Sequence, residues 1–532
     1  MKVTAVGWSV RGIHRVLGAL AGAVVSMAAA GPVQAQPVAG TAVAAACSGA
    51  ASDFNGDGVF DQAIGDPEAS VDGVANAGVV RVVYGGGKGT VELTQALSSV
   101  DATPEQGDQF GFSRAVYDAD GDGCSDVVVG VPYEDVLVDG VNRVDAGAVY
   151  VFHGSPSGIG TGAPVDAWTQ RTLHPGTASE AYDRFGYALA AGTAASGDPW
   201  LAVGVPGESV TVDDVAHTEA GQVEYKQGSA VCGVNQNTPG VGGVVEAYDR
   251  MGMALAGTNR YFAAGSPGEA VGTEEFAGAV AVFSHTLDGS CPVALAGLGQ
   301  GRAADALPDS AEAGDQFGAS LSMTGYRPSN QTYNSDALLA IGVPGEAVGS
   351  VRSAGLVAVV RVQPSGAYTS VASIDTSSAD VEGTPAASDF FGQRVTIANT
   401  DTSVVTTSGT VRLAVSVPGR DVGDAKDAGA VQIFRPLDTS PGASDKVLTR
   451  GGAGSLLPGP ATARDYTGMS LWSGSNTLYV GVPYSKEPAT SKGVLYTMPW
   501  SAVDAGSGTA TTYRPGAGGL PDEGASFGVI HG

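Results

Sequence analysis

The sequence predicts an all-β fold, a seven-bladed β-propeller, and three observations predict it: a composition suited to turns, a strand-bearing unit written seven times, and a piece of that unit near residue 527 that the first unit lacks. The 532 residues include 80 Gly and only 15% charged side chains. That balance favours many tight turns between short apolar segments over amphipathic helices.

The unit carries three signatures in fixed order. An apolar run into Gly-x-Pro, or a close variant, occurs as AIGDPE, VVVGVPYE, LAVGVPGE, FAAGSPGE, LAIGVPGE, LAVSVPGR and YVGVPYS. Its prolines are Pro67, Pro132, Pro206, Pro267, Pro344, Pro418 and Pro483, a mean step of about 69 residues, the mark of a repeat architecture. Before six of them stands an Asp-x-aromatic-Gly element or its variant, ending at Gly111, Gly186, Gly252, Gly318, Gly392 and Gly468. After all seven comes a strand of the type DAGAVYVFHG, starting near Asn76, Asp145, Glu219, Phe276, Ser353, Asp427 and Ser491. The runs have strand length and composition, with Val and aromatics alternating against small or polar residues. Three or four short strands cannot bury their faces alone, and radial stacking around a channel is the propeller solution.

The aromatic-Gly element missing before Pro67 reappears as the solitary Phe527-Gly528 of EGASFGVIHG. The expectation is that this last strand completes the first blade, so that no open sheet edge remains. Taken together, these motifs resemble FG-GAP repeats, and residues 47 to 532 resemble the amino-terminal β-propeller of integrin α chains and its secreted bacterial relatives.

Two units carry an acidic, glycine-studded loop. DFNGDGVFD places Asp53, Asn55, Asp57 and Asp61 at positions 1, 3, 5 and 9, and DADGDGCSD places Asp118, Asp120, Asp122 and Asp126 likewise. Alternate oxygens in a tight loop, with the backbone carbonyls of Val59 and Cys124 at position 7, suit a hard cation such as Ca2+. Gly58 and Gly123 permit the turn. The helix-loop-helix calcium hand is excluded, because position 12 holds Ile64 and Val129 in place of Glu and a strand follows. The hairpin form found in FG-GAP proteins fits instead, and two calcium sites are expected, since the corresponding ASGDPW, GTNRYF and YNSDAL lack the run of ligands. The competing reading is an Asp/Asn/Gly turn without metal.

Residues 1 to 35 carry Lys2, Arg11 and Arg15, then an uncharged run from Val16 to Ala30 and Val33-Gln34-Ala35. This reads as a secretory leader cleaved after Ala35, followed by a linker, 36–46, and the propeller, 47–532. A lipoprotein site at Ala44 to Cys47 lies too far beyond the apolar run. No later segment has the roughly 18 continuous apolar residues of a membrane span. The net charge of −27 repels nucleic acid and anionic lipid. Cys47, Cys124, Cys232 and Cys291 read as two disulfides in an exported chain, and counting leaves three connectivities open. If the first two blades are neighbours, Cys47 pairs with Cys124 and Cys232 with Cys291.

No catalytic constellation is expected. Gly524-Ala525-Ser526-Phe527-Gly528 matches a nucleophile elbow formally but coincides with a repeat element. His174 near Asp183, and His217 near Asp214, have no nucleophile beside them. Asp108, Asp183, Asp249, Asp315, Asp389 and Asp465 precede the aromatic-Gly, and Glu68, Glu134, Glu208, Glu269 and Glu346 follow the proline. These acids either cap turns or form a collar for a cationic, metal-bridged or sugar ligand on the face where relatives bind theirs. Longer unlike loops, such as ESVTVDDVAHTEAG from Glu208, suit specificity better. The resemblance implies a secreted, monomeric, calcium-binding adhesion module for an unknown protein or glycan. The alternative is a secreted hydrolase or lyase acting on polysaccharide or ester substrates.

Overall fold

The computed structural model describes residues 47–160, 165–301, 307, 310–452, 454–486 and 492–530. The expected leader and linker lie outside the described residues. Among those described, the Gly-x-Pro strands Asp126–Val131, Pro199–Val205, Tyr261–Ser266, Asp336–Val343, Val411–Val417 and Thr477–Val482 are each the second strand of their own antiparallel sheet, and Gln62–Asp66 is the first of its sheet. Six sheets have four strands in sequence order and the first has three. Blade two shows the pattern: Ser113–Tyr117, Asp126–Val131, Ala148–Phe152 and Val165–Trp168, each paired with the next.

The middle strands do not alternate between core and solvent as their sequences suggest. Asp126–Val131 and Ala148–Phe152 are buried at every position, because a blade is covered on both faces by its neighbours. Apolar clusters fill the successive seams. Phe110, Val127 and Val129 pack against Val80 and Val82 between blades one and two. Ile64 packs against Tyr479, Leu495 and Phe527 between seven and one.

One backbone contact recurs around the ring. The N–H of the glycine after the aromatic donates to the carbonyl of the Gly-x-Pro glycine: Gly111 to Gly130 (3.2 Å), Gly186 to Gly204 (3.1 Å), Gly252 to Gly265 (3.0 Å), Gly318 to Gly342 (3.1 Å) and Gly468 to Gly481 (3.1 Å). In blade six Ser416 takes the glycine's place; its carbonyl accepts from Gly392 (3.0 Å), and its hydroxyl accepts from Arg394 N–H at 2.8 Å. The seventh bond joins the ends of the chain, Gly528 to Gly65 at 3.1 Å, and Gly65 N–H donates to Val529 at 2.8 Å. The residues around Phe527 therefore supply the missing inner edge of blade one, as the sequence predicts.

Glycine is required where blades meet. At Gly493, with φ +90°, a Cβ would lie 2.0 Å from the Phe527 carbonyl oxygen, and Gly278 meets Phe317 the same way at 2.3 Å. Since Phe527 and Phe317 are both fully buried, closure makes the terminal copy equivalent to an internal one. Phe527→Ala is expected to cost as much as Phe317→Ala, about 3–5 kcal/mol each. Urea denaturation of both variants checks this, and a near-neutral Phe527→Ala would mean an open ring.

Candidate functional site

The two acidic loops occupy one face, at the hairpins leading into the second strands of blades one and two. In the first, Asp53 is fully buried; its carboxylate accepts from Ser48 Oγ (2.8 Å), Asp57 N–H (3.0 Å) and Gly58 N–H (2.8 Å). Buried Asp61 accepts from Phe54 and Gly85 N–H groups at 2.9 and 2.7 Å. Lys88 Nζ lies 2.7 Å from Asp57 and holds that carboxyl below its ordinary range by hydrogen bonding. Asn55 Oδ1 accepts from Asp57 N–H, and Val59 is exposed.

The second loop repeats the arrangement. Asp118 accepts from Gly121 and Gly123 N–H groups, Asp122 from Cys124, and buried Asp126 from Ala119 and Gly154. Asp118, Asp120 and Asp122 place carboxylate oxygens within 4.8 Å of one another. That spacing and donor chemistry suit one hard cation. Sequence reading missed His153, at the end of the third strand, whose Nδ1 lies 3.3 Å from Asp126 and 3.7 Å from Asp120.

The loops are packed together. Phe54 is buried in the seam between blades one and two, Ser125 N–H donates to Asp53 O, and Gly49 N–H donates to Gly123 O. Cys47 and Cys124 form a disulfide across this contact. Cys232 pairs with Cys291, joining the outer strands of blades three and four. Both pairings agree with the neighbour argument from sequence.

On the opposite face, the acids before the aromatic-Gly are buried turn caps. Asp108 accepts from Glu105 N–H (2.6 Å), Asp183 from Glu180 (2.5 Å), Asp249 from Glu246 (2.6 Å), Asp315 from Glu312 (2.6 Å) and Asp465 from Thr462 (3.1 Å). The cap holds the following residue, such as Gln109 or Arg184, at positive φ. The glutamates after the proline face a partner that the sequence reading missed, a glutamine from the preceding blade: Gln95 to Glu134 (2.5 Å), Gln170 to Glu208 (2.7 Å), Gln236 to Glu269 and Gln300 to Glu346 (2.7 Å). Blades six and seven change the charge. Arg420 stands in the glutamate's position, 4.0 Å from Asp389, and Arg450 in the glutamine's, 2.7 Å from Asp465. In blade one, Arg81 pairs with Asp66 at 2.7 Å. Most of these acids thus belong to the seams and not to an open collar.

Ser526 is buried, with its hydroxyl accepting from Glu68 N–H and its N–H donating to Asp66. His174 pairs with buried Glu224 at 2.9 Å, not with Asp183. The unlike loops do differ in structure. Blades two and three extend into two-stranded hairpins, Val136–Val138 with Val141–Arg143 and Val210–Val212 with Val215–His217. The same connection in blades one, four, five and six closes on a single bridge.

Burial, with Asp108 beside it adding repulsion, pushes Glu134 up to about 8. Burial and then Glu208 push Asp183 up to about 8, and burial pushes Glu208 to about 7. Because the folded state holds protons that the unfolded chain releases near pH 4, stability is expected to fall as pH rises from about 4 to 8. Glu134→Gln should flatten this slope and raise the melting temperature at pH 8.5. An unchanged slope in thermal melts would remove these carboxyls as its cause.

The FG-GAP repeat family model matches residues 110–152, from the aromatic of blade two through its acidic loop to its third strand. Integrin alpha-PS2 of Drosophila melanogaster is 35% identical over 164 residues, which are 29% of this chain and 11% of that protein. Among solved structures, Saccharomyces cerevisiae Sqt1 matches at 10% identity and TM-score 0.39, covering 76% of each chain. A putative 6-phosphogluconolactonase from Bacteroides uniformis matches at 12% identity and TM-score 0.38, covering 88% of this chain and 97% of that one. With seven copies of the motif in sequence, a family match across the second, and seven blades closed by one recurring hydrogen bond, the chain is an FG-GAP repeat β-propeller similar to those of integrin α chains.

Proposed function

We propose that this chain is an extracellular binding module, a calcium-held propeller that engages a protein or glycan through the loops of its Gly-x-Pro face. The observation that carries this reading is the pair of hairpins on blades two and three. They hold Leu137, Val141 and Val215 at 72%, 52% and 56% exposure. Apolar side chains kept in water on a rigid scaffold mark an interaction surface. Two disulfides between neighbouring blades suit an oxidising compartment, and residues 1–35 read as the leader that would take the chain there.

Each acidic loop would hold one Ca2+, the first through Asp53, Asn55, Asp57, Asp61 and the Val59 carbonyl, the second through Asp118, Asp120, Asp122, Asp126 and the Cys124 carbonyl. A bound cation supplies charge neutralisation to carboxylates that otherwise lean on backbone N–H groups, Lys88 and His153. Since Ser125 bonds to Asp53 O and the Cys47–Cys124 bridge crosses the same contact, ordering either loop supports both blades.

Equilibrium dialysis of the full chain is expected to find two Ca2+, falling to one in Asp118→Ala/Asp122→Ala. Calcium at a hundred times its dissociation constant should add about 2.7 kcal/mol per site. An unchanged melting temperature in chelator would sink the calcium reading. A glycan and matrix-protein array, in calcium and in chelator, should give saturable binding that Leu137→Asp/Val215→Asp abolishes. Silence on every spot would count against the binding module.

A further inference from the structure

We propose that the central channel of the propeller is a carboxylate-binding site, with Arg114 and Arg394 as its cationic groups and Phe112, Tyr187 and Trp472 as its ring-bearing walls, suited to a small acidic ligand of the uronic-acid type. The site is separate from the hairpins of the rim and goes beyond the reading above.

The channel is lined by the inner strands of the blades. Two adjoining cavities along it share Leu255, Leu321, Ser322 and Trp472. In a chain with 54 acids and 27 bases, the charged side chains on its walls among the described residues are Arg114, Arg250 and Arg394, with no carboxylate beside them. Arg250 is neutralised by Glu219 at 3.0 Å. The other two are not paired among the described residues. Arg114 is 6% exposed and its Nη1 has no hydrogen-bond partner. Arg394 spends its Nε on the Met469 carbonyl at 3.3 Å.

A buried guanidinium without a counter-charge is costly, and the repeat shows that the fold does not demand it. At the place of Arg114 the other blades carry Leu189, Leu255, Leu321, Val395 and Leu471; at the place of Arg394 they carry Ser113, Ala188, Ala254, Ser320, Ser470 and Ile530, none of them charged. Arg114 Nη1 lies against the backbone of Gly65, where an added Cβ would be 2.3 Å away. Two departures from the repeat rule, both cationic and both among the residues lining one channel, are accounted for by an anion that enters it. The guanidinium fork matches a carboxylate. Phe112 and Tyr187, with ring centroids 4.9 Å apart, and Trp472, 42% exposed, offer faces for a ring body. Burial lowers Arg114 only to about 9, so it stays charged at neutral pH.

The test is calorimetric titration of the full chain, in calcium, with D-glucuronate and with uncharged D-glucose. Glucuronate should bind saturably and change tryptophan fluorescence, the change vanishing in Trp472→Phe, while glucose at the same concentrations should not bind. Arg114→Leu and Arg394→Ser, which install the residues of other blades, should each weaken glucuronate by roughly tenfold or more without lowering the melting temperature. Absence of saturable glucuronate binding, equal binding of glucose, or full affinity in both variants would overturn the proposal. A drop in melting temperature with unchanged affinity would also overturn it, by assigning the arginines to the fold.

Discussion

The structure depends on one backbone contact, the hydrogen bond from the glycine after the aromatic to the carbonyl of the Gly-x-Pro position. It forms only where two chain segments approach without intervening side chains, which is why both partners are glycine in most blades. Once that contact is set, the aromatic before the first glycine has nowhere to go but the seam, and Phe110, Phe185, Phe317, Phe391 and Phe527 are all fully buried there. Using the same bond for closure, Gly528 to Gly65, gives the ring no weak junction of a different kind. Repeat proteins are held by neighbour interfaces, and a closed ring removes the two ends from which such an array would fray.

Charge inside the seams is managed by substitution along the repeat. Four seams place a glutamine amide against a glutamate, with a capping aspartate in the same unit. Blades six and seven replace one member by arginine, and blade one recruits Arg81 from its third strand. A buried ion pair is weak evidence of stability, yet removing one partner is expensive, so each solution is locked once adopted. This explains how an acidic chain tolerates so many carboxyls at buried positions: they are bonded to N–H groups, amides or guanidiniums and are not left as an open ring of negative charge.

The fold was legible because its backbone constraints appear as residue identities. Gly and the aromatic recur where sterics allow little else, and the lone Phe527-Gly528 revealed the closure. The tight acidic turns were legible for the same reason, since the spacing of their acids and Gly58 and Gly123 stand in sequence. Partners drawn from other segments were not. Gln95, Gln170, Gln236 and Gln300 sit in connectors whose flanks differ, so nothing local marks them, although their recurrence after each outer strand is a signal. His153 lies at a strand end, close to its loop only in space. The reading of alternating strands failed because a blade has no solvent face. Arg114 and Arg394 stand out only when FSRAV and QRVTI are aligned with YALAA, MALAG, ASLSM and MSLWS, because no local motif surrounds them.

An acidic exterior around a cationic channel also selects by size. At physiological ionic strength the field of surface charge decays over about 8 Å. A small monoanion is repelled only briefly before it reaches Arg394 and Arg114 on the channel walls. A polyanion would have to lay many charges along the acidic face at once, with the repulsion accumulating over its length. This distribution of charge therefore leaves the channel open to a single carboxylate.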